Sequence, residues 1–412
     1  MNQPSAPEAF LILSFFVLGT LNAFAEPAAI WAGGNGRVSD ANGWVSGVVP
    51  DERTAFVVQS GILRLGEVGE APSRAADTVV SGGILEINGT FRNAHGGSSS
   101  ILLNDGKIEH RGNFFVIGHD TPGGFEVRGG QLNSHVGKGF FLSDLGRSSS
   151  TYAQSGGEVT IQFAMQGPVL TRRWFAMLGK AANDHARIEG GTLRVDFGNP
   201  PFESDPGSEA DGSISLRALH IQRNSELEIL GGSVELLGPR YVAVGIDWPG
   251  LSQLSLRGGS LLIEKASSFP ASLLVGTGSE GIVTIEDGRL EVSVVKTGAE
   301  PGIGLLIGLD GGYGKVLQSG GTVALYNGDL VLSGDAGSVG VYEMNGGKLR
   351  ANDIRIGHDG RTGGRFIFSG GEIELAGDRR QIVTEGFFQF KGRPSVVYDP
   401  VENVTRITHG GR

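Results

Sequence analysis

The sequence predicts an all-β chain folded as a right-handed parallel β-helix, a β-solenoid of about eleven coils with a cap at each end. Three observations predict it. Glycine supplies 70 of the 412 residues, where ordinary usage is about 7%. A Gly-Gly or Asp-Gly phrase recurs along the chain, and apolar residues alternate with polar ones on both sides of it, which is the period of a strand. Collagen is excluded because glycine does not recur at every third residue, and a flexible linker is excluded because Leu, Ile, Val and Phe recur between the glycines throughout.

In chain order, residues 1–25 read as a secretory leader. An apolar core runs from Phe10 to Leu21, and Ala23-Phe24-Ala25 places small residues where a signal peptidase acts, so cleavage is expected before Glu26. The stretch before Phe10 carries no Lys or Arg, which leaves an uncleaved anchor as the alternative. The core is shorter than the roughly 20 residues that span a bilayer, and no later segment approaches 18 uninterrupted apolar residues, so no membrane span is expected after leader removal. The chain has no cysteine. Neither a disulfide framework nor a lipid-modified cysteine is therefore available, and stability must come from packing and backbone pairing.

Residues 26–77 are expected to form the N-terminal cap. They contain Trp31-Ala32-Gly33-Gly34-Asn35-Gly36, Ser39-Asp40-Ala41-Asn42-Gly43-Trp44 and Val49-Pro50-Asp51. Residues 78–375 carry eleven copies of one phrase, for example Ser81-Gly82-Gly83-Ile84-Leu85-Glu86-Ile87 and Ser369-Gly370-Gly371-Glu372-Ile373-Glu374-Leu375. Two positions after the second glycine every copy is aliphatic, from Leu85 and Ile108 to Leu349 and Ile373. Four positions after it nine copies are apolar, the exceptions being His110 and Ser134. Three positions before it a second apolar series runs through Val80, Leu103, Val127, Ile188 and Ile229 to Phe368. A strand thus enters each glycine corner and another leaves it.

Many copies add a third short element, as in Phe115-Val116-Ile117-Gly118 and Leu306-Ile307-Gly308. Three short strands per copy make one coil, and corners with positive φ explain the glycine. Coils spaced about 4.8 Å apart would each add one layer to an apolar column. The right-handed winding follows from the chirality of parallel crossovers.

The two longest intervals between phrases lie side by side and place insertions near 162–185 and 199–211. The first offers Arg172, Arg173 and Trp174, and the second offers Phe202, Glu203, Asp205, Glu209 and Asp211. These loops, and above all Arg172, Arg173, Trp174, Glu203 and Asp205, are the candidate binding residues. Residues 376–412, with Phe387-Phe388-Gln389-Phe390 and Val396-Val397-Tyr398, are expected to cap the other end.

The opening series of Trp31, Gly33-Gly34, Ser39-Asp40, Asn42-Gly43-Trp44 and Val49-Pro50, followed by repeats of Ser-Gly-Gly-x-Leu-x-Leu, resembles bacterial autotransporter-associated β-strand repeat proteins. The resemblance covers most of the chain after the leader and implies a secreted or surface β-solenoid. Autotransporters carry a C-terminal outer-membrane barrel, whereas here the repeats run almost to Arg412. The expectation is a free-standing relative or a fragment.

Chemistry is sparse. Lys plus Arg total 34 against 44 Asp plus Glu, a net charge of −10 with no long basic run, so no nucleic-acid partner is expected. Ile117-Gly118-His119-Asp120 and Ile356-Gly357-His358-Asp359 each pair a potential base with a carboxylate. They lie about ten coils apart and cannot share a site, and turn chemistry accounts for their aspartates. Asp120, Asp247, Asp310 and Asp359 sit in glycine turns that would suit calcium, although the nonapeptide spacing of calcium rolls is absent. No other cofactor, catalytic residue or metal ligand is assigned. Gly276-Thr277-Gly278-Ser279-Glu280-Gly281 matches a dinucleotide fingerprint but precedes a strand rather than a helix, which rules the match out.

The expected function is a non-enzymatic exported scaffold or adhesin of a bacterial surface or matrix, with extracellular glycans or surface proteins as partners and end-to-end self-association as a further possibility. The alternative is a carbohydrate-active β-helix, a polysaccharide lyase or hydrolase, that uses the insertion loops as a cleft.

Overall fold

The chain is a parallel β-helix in this computed structural model, which describes residues 28–410 apart from 32, 68–69, 145–148, 164–182, 199–217, 240, 247, 265–270, 295–301 and 358–362. The leader expected at 1–25, residues 164–182 of the first insertion loop and the whole of the second therefore lie outside the described residues. Where its residues are described, a typical coil has three sides. The first side is the strand entering the glycine corner, the second the strand leaving it, and the third the short element that follows. No helix among the described residues is long and apolar enough to cross a membrane.

Parallel pairing in one register stacks the coils. On the first side the inward column runs Ala29, Phe56, Thr78, Ile101, Phe125, Tyr152, Ala186, Leu227, Leu254, Val283, Val316, Tyr342, Phe366 and Phe388, each the register partner of the next. On the second side the eleven aliphatic residues that follow the corners line up from Leu85 to Ile373, and all are buried. Burial of successive aliphatic layers is the main favourable term here, at about 25 cal/mol per Å² of apolar surface removed from water.

The corner itself needs glycine for two reasons at once. Gly130 has φ +70°, and a Cβ there would stand 2.5 Å from the carbonyl oxygen of Gly106 in the coil before. An L side chain would meet both the left-handed backbone and the neighbouring coil.

The register runs further than the glycine phrase does. Within residues 26–77, expected to form the N-terminal cap, Ala29–Trp31 pairs in parallel with Phe56–Val58, and Asn35–Arg37 with Ile62–Leu65. These strands continue into the repeat coils, so the first side, caps included, has fourteen rungs among the described residues. The first rung is closed by tryptophan. Gly36 occupies the register position that Leu63 and Leu85 hold in later coils, and a Cβ on it would stand 2.6 Å from the Trp31 ring. The indole fills the space that an aliphatic side chain fills elsewhere. Trp44 packs edge-on against Trp31 at 5.3 Å and against Phe56 at 5.8 Å, and its Nε1 donates to the Val38 carbonyl at 2.9 Å.

The other end closes by reversal. Phe388–Phe390 adds one more parallel rung, with the Phe388 ring stacked on Phe366 at 4.6 Å. The hairpin of Pro394–Asp399 and Val404–His409 then pairs antiparallel, Val404–His409 lying against Glu372–Ala376. A strand running the wrong way cannot seed another coil, which deals with the open edge that every solenoid end presents.

The third side differs from the other two because it is apolar on both faces. Val242, Val244, Leu273, Leu305 and Leu330 belong to the main core, while the intervening Tyr241, Ala243, Leu274, Leu306 and Val331 form a second buried cluster on the outer face. Unbroken apolar runs such as Leu305-Leu306-Ile307 are the sequence signature of a strand buried on both faces.

Candidate functional site

Of the residues marked by sequence, Arg172, Arg173, Trp174, Phe202, Glu203, Asp205, Glu209, Asp211, Asp247, His358 and Asp359 lie outside the described residues. His119, Asp120 and Asp310 are described, and all three fall on the corner between the third side and the next first side.

His119 and Asp120 serve different coils. The Asp120 carboxylate lies 3.1 Å from Nδ1 of His95 in the coil before, and it accepts the Gly96 amide at 2.8 Å. His119 Nδ1 lies 3.2 Å from the Asp144 carboxylate in the coil after, and the His95 and His119 rings stand edge to face at 5.1 Å. The base-with-carboxylate pairing therefore forms between coils and not within the dipeptide. Desolvation pushes the His119 imidazole below its ordinary pKa, against the pull of Asp144. Desolvation pushes Asp120 up, but the Gly96 amide, His95 and His119 outweigh it and hold the carboxyl below its usual range. His95 and Asp144 were missed by motif reading. Aligning Asn93-Ala94-His95, Ile117-Gly118-His119 and Leu142-Ser143-Asp144 as one column of corners would have found them.

The turn around Asp310 is held in the same way. Its amide donates to Asp335 of the next coil at 2.9 Å, and the Gly311 amide donates to the Ser338 hydroxyl at 3.0 Å. Carboxylates at these corners accept backbone amides of the preceding coil, the role turn chemistry predicts, extended across the stack. Among the described residues no group of three or more His, Asp or Glu side chains could hold a metal ion.

Elsewhere the outer faces carry paired charges. On the second side Arg64 reaches Glu86 at 2.7 Å, Arg194 reaches Glu235 at 3.5 Å, and Glu374 is held by Lys348 at 3.0 Å and by Arg406 at 3.2 Å. On the first side Glu228 meets Arg257 at 3.1 Å, and Lys315 meets Glu343 at 3.4 Å. Each of these pairs joins neighbouring coils, save that Arg406 reaches Glu374 from the closing hairpin.

A concave site lies at the C-terminal end of the third side, a groove of about 590 Å³ lined by Asp353, Arg355, Ile356, Arg379, Glu385 and Phe387 among others. Pairing of Leu330 with Ile354 puts Asp329 and Asp353 in register on the outer face of adjacent coils. Arg355 Nε donates to Asp329 at 2.9 Å, and Arg379 lies 3.4 Å from Asp353. Asp329 is buried, and its Oδ1 has no hydrogen-bond partner. Desolvation pushes its carboxyl above the usual range with help from Asp353, opposed by the bond from Arg355. Motif reading had no access to this groove, because the residues that line it come from successive coils of different length. Comparison of the chain with protein-family models, with curated proteins and with solved structures gives no match.

Proposed function

We propose that the chain is an exported, non-enzymatic β-solenoid serving as a surface or extracellular scaffold of the bacterial autotransporter-associated kind that its opening phrase resembles. The observation that carries this reading is the outer surface of the first and second sides. Several of their charged pairs join coil to coil across rungs of one continuous register, as in Arg64–Glu86, Arg257–Glu228 and Lys348–Glu374, beside others within one strand such as Lys107–Glu109. Exposed pairs add little stability singly, about 0–1 kcal/mol, but together they give long hydrophilic flanks that suit an extended strut. The Trp31–Trp44 closure, built from the residues that carry the resemblance, gives the strut a defined end.

A carbohydrate-active β-helix is the second reading, favoured by one observation, the two carboxylates Asp329 and Asp353 in register on adjacent coils. Cell fractionation joined to a polysaccharide-degradation screen tests both. The chain is expected in the outer-membrane or medium fraction, releasing no oligosaccharide from acidic or neutral polysaccharides. Cytoplasmic retention would overturn export, and released oligosaccharide would overturn the non-enzymatic scaffold in favour of the second reading.

A further inference from the structure

The groove at the C-terminal end of the third side plays no part in the scaffold reading, and its chemistry is that of a ligand site. We propose that it binds an uncharged oligosaccharide through the guanidinium groups of Arg355 and Arg379 and the ring of Phe387. The inference goes beyond the scaffold reading and does not depend on it.

Both guanidiniums are pinned before any ligand arrives. Asp329 holds Arg355 and Asp353 holds Arg379, and each arginine offers five N–H donors in a planar fork, so most donors stay available. The two arginine side chains remain 45% and 40% exposed. Acceptors share the groove with them, because Gln381 and Glu385 line it and are exposed. Ile356 and Phe387 are half-buried in the wall and present apolar surface.

A sugar matches that set. Its hydroxyls both donate and accept, while its C–H face packs on an aromatic ring. Charge narrows the class further. The lining sets two guanidiniums, Arg355 and Arg379, against two carboxylates, Asp353 and Glu385, so the groove has no net positive field to draw a polyanion. The volume falls within the range of about 300–1,000 Å³ common to small-ligand sites.

Saturation-transfer NMR on the full chain tests the proposal with gluco-, manno-, xylo-, galacto- and N-acetylglucosamine tetrasaccharides and a galacturonate tetramer. At least one neutral sugar is expected to bind. Its affinity is expected to fall about tenfold or more in Phe387→Ala and in Arg355→Lys, which keeps the charge and loses the fork. Gln381→Ala removes an exposed acceptor and is expected to weaken binding without lowering the melting temperature, while Glu86→Gln on the second side is expected to bind as wild type. Failure of every neutral sugar at millimolar concentration, binding of galacturonate alone, or unchanged affinity in all three groove variants would overturn the proposal. A bound sugar recovered shortened would keep the groove as the site and instead overturn the non-enzymatic reading.

Discussion

His110 and Ser134 interrupt the apolar series four positions after the corner, and their adjacency explains how a polar pair survives in the core. They are register partners. His110 Nδ1 lies 2.8 Å from the Ser134 hydroxyl and Nε2 lies 3.0 Å from the Gly89 carbonyl, so both ring nitrogens are engaged. Burial pushes the imidazole down to about 4, well below the value of about 6.5 for an unfolded chain. The unfolded state therefore takes up the proton first, and the stability that neutral His110 contributes is present above about pH 6.5 and lost as pH falls toward 4. His220, also pushed down to about 4 by burial, adds in the same direction. Urea unfolding at pH 7.5 and 4.5 checks this. The loss of stability between the two is expected to shrink by about 2–3 kcal/mol in the double variant His110→Leu, Ser134→Ala, and an unchanged loss would refute the assignment. Gln154 and Gln318 solve the same problem in the neighbouring column. Each accepts a buried tyrosine hydroxyl at 2.6 Å, from Tyr152 and Tyr342, and donates to a backbone carbonyl at 3.1 Å.

At the scale of the element, the corner and the end closures follow different rules. Gly130 combines φ +70° with a neighbouring carbonyl at Cβ distance, whereas Gly96 has φ +73° and open space around it. Gly96→Ala should therefore cost only the left-handed strain of about 1–2 kcal/mol, and Gly130→Ala should cost more because two stacked coils must also part. Thermal denaturation of the two variants checks the order, and equal losses would show that stacking plays no part in the choice of glycine. The N-terminal closure depends on a buried cation as well as on tryptophan. Arg74 is buried with its guanidinium 4.4 Å above the Phe56 ring, and it donates to the carbonyls of Asp51 and Thr54. Desolvation lowers its pKa to about 10, still high enough to keep the charge at neutral pH.

Across the whole molecule, stability is a sum of layers that each contact only their neighbours, so the ends decide whether the stack stops. Truncation after Leu375 would remove the antiparallel hairpin and the Phe388–Phe390 rung. It would leave Arg365–Phe368 and Glu372–Leu375 as parallel edges with Phe366 and Phe368 uncovered. Size-exclusion chromatography is expected to show the truncated chain as oligomers or aggregate where the full chain is not, and a monodisperse monomer of unchanged melting temperature would refute the capping role.

Legibility follows the range of each interaction. The inward residues, the strand that leaves every corner and the glycine between were readable because alternation and corner geometry act within a few residues. By itself, therefore, the sequence determined a parallel β-solenoid and the inward columns of its first and second sides. The first rung was harder to read, because Gly36 takes the place of an aliphatic residue and only the Trp31 ring above it shows why. The tertiary structure alone decided which residues meet across coils: His110 with Ser134, His95 with Asp120, Asp329 with Arg355, and the convergence of Arg355, Arg379 and Phe387 in one groove. Coil lengths vary, so residues that are neighbours in the stack stand at no constant spacing along the chain, and only the stacking of backbones brings them together.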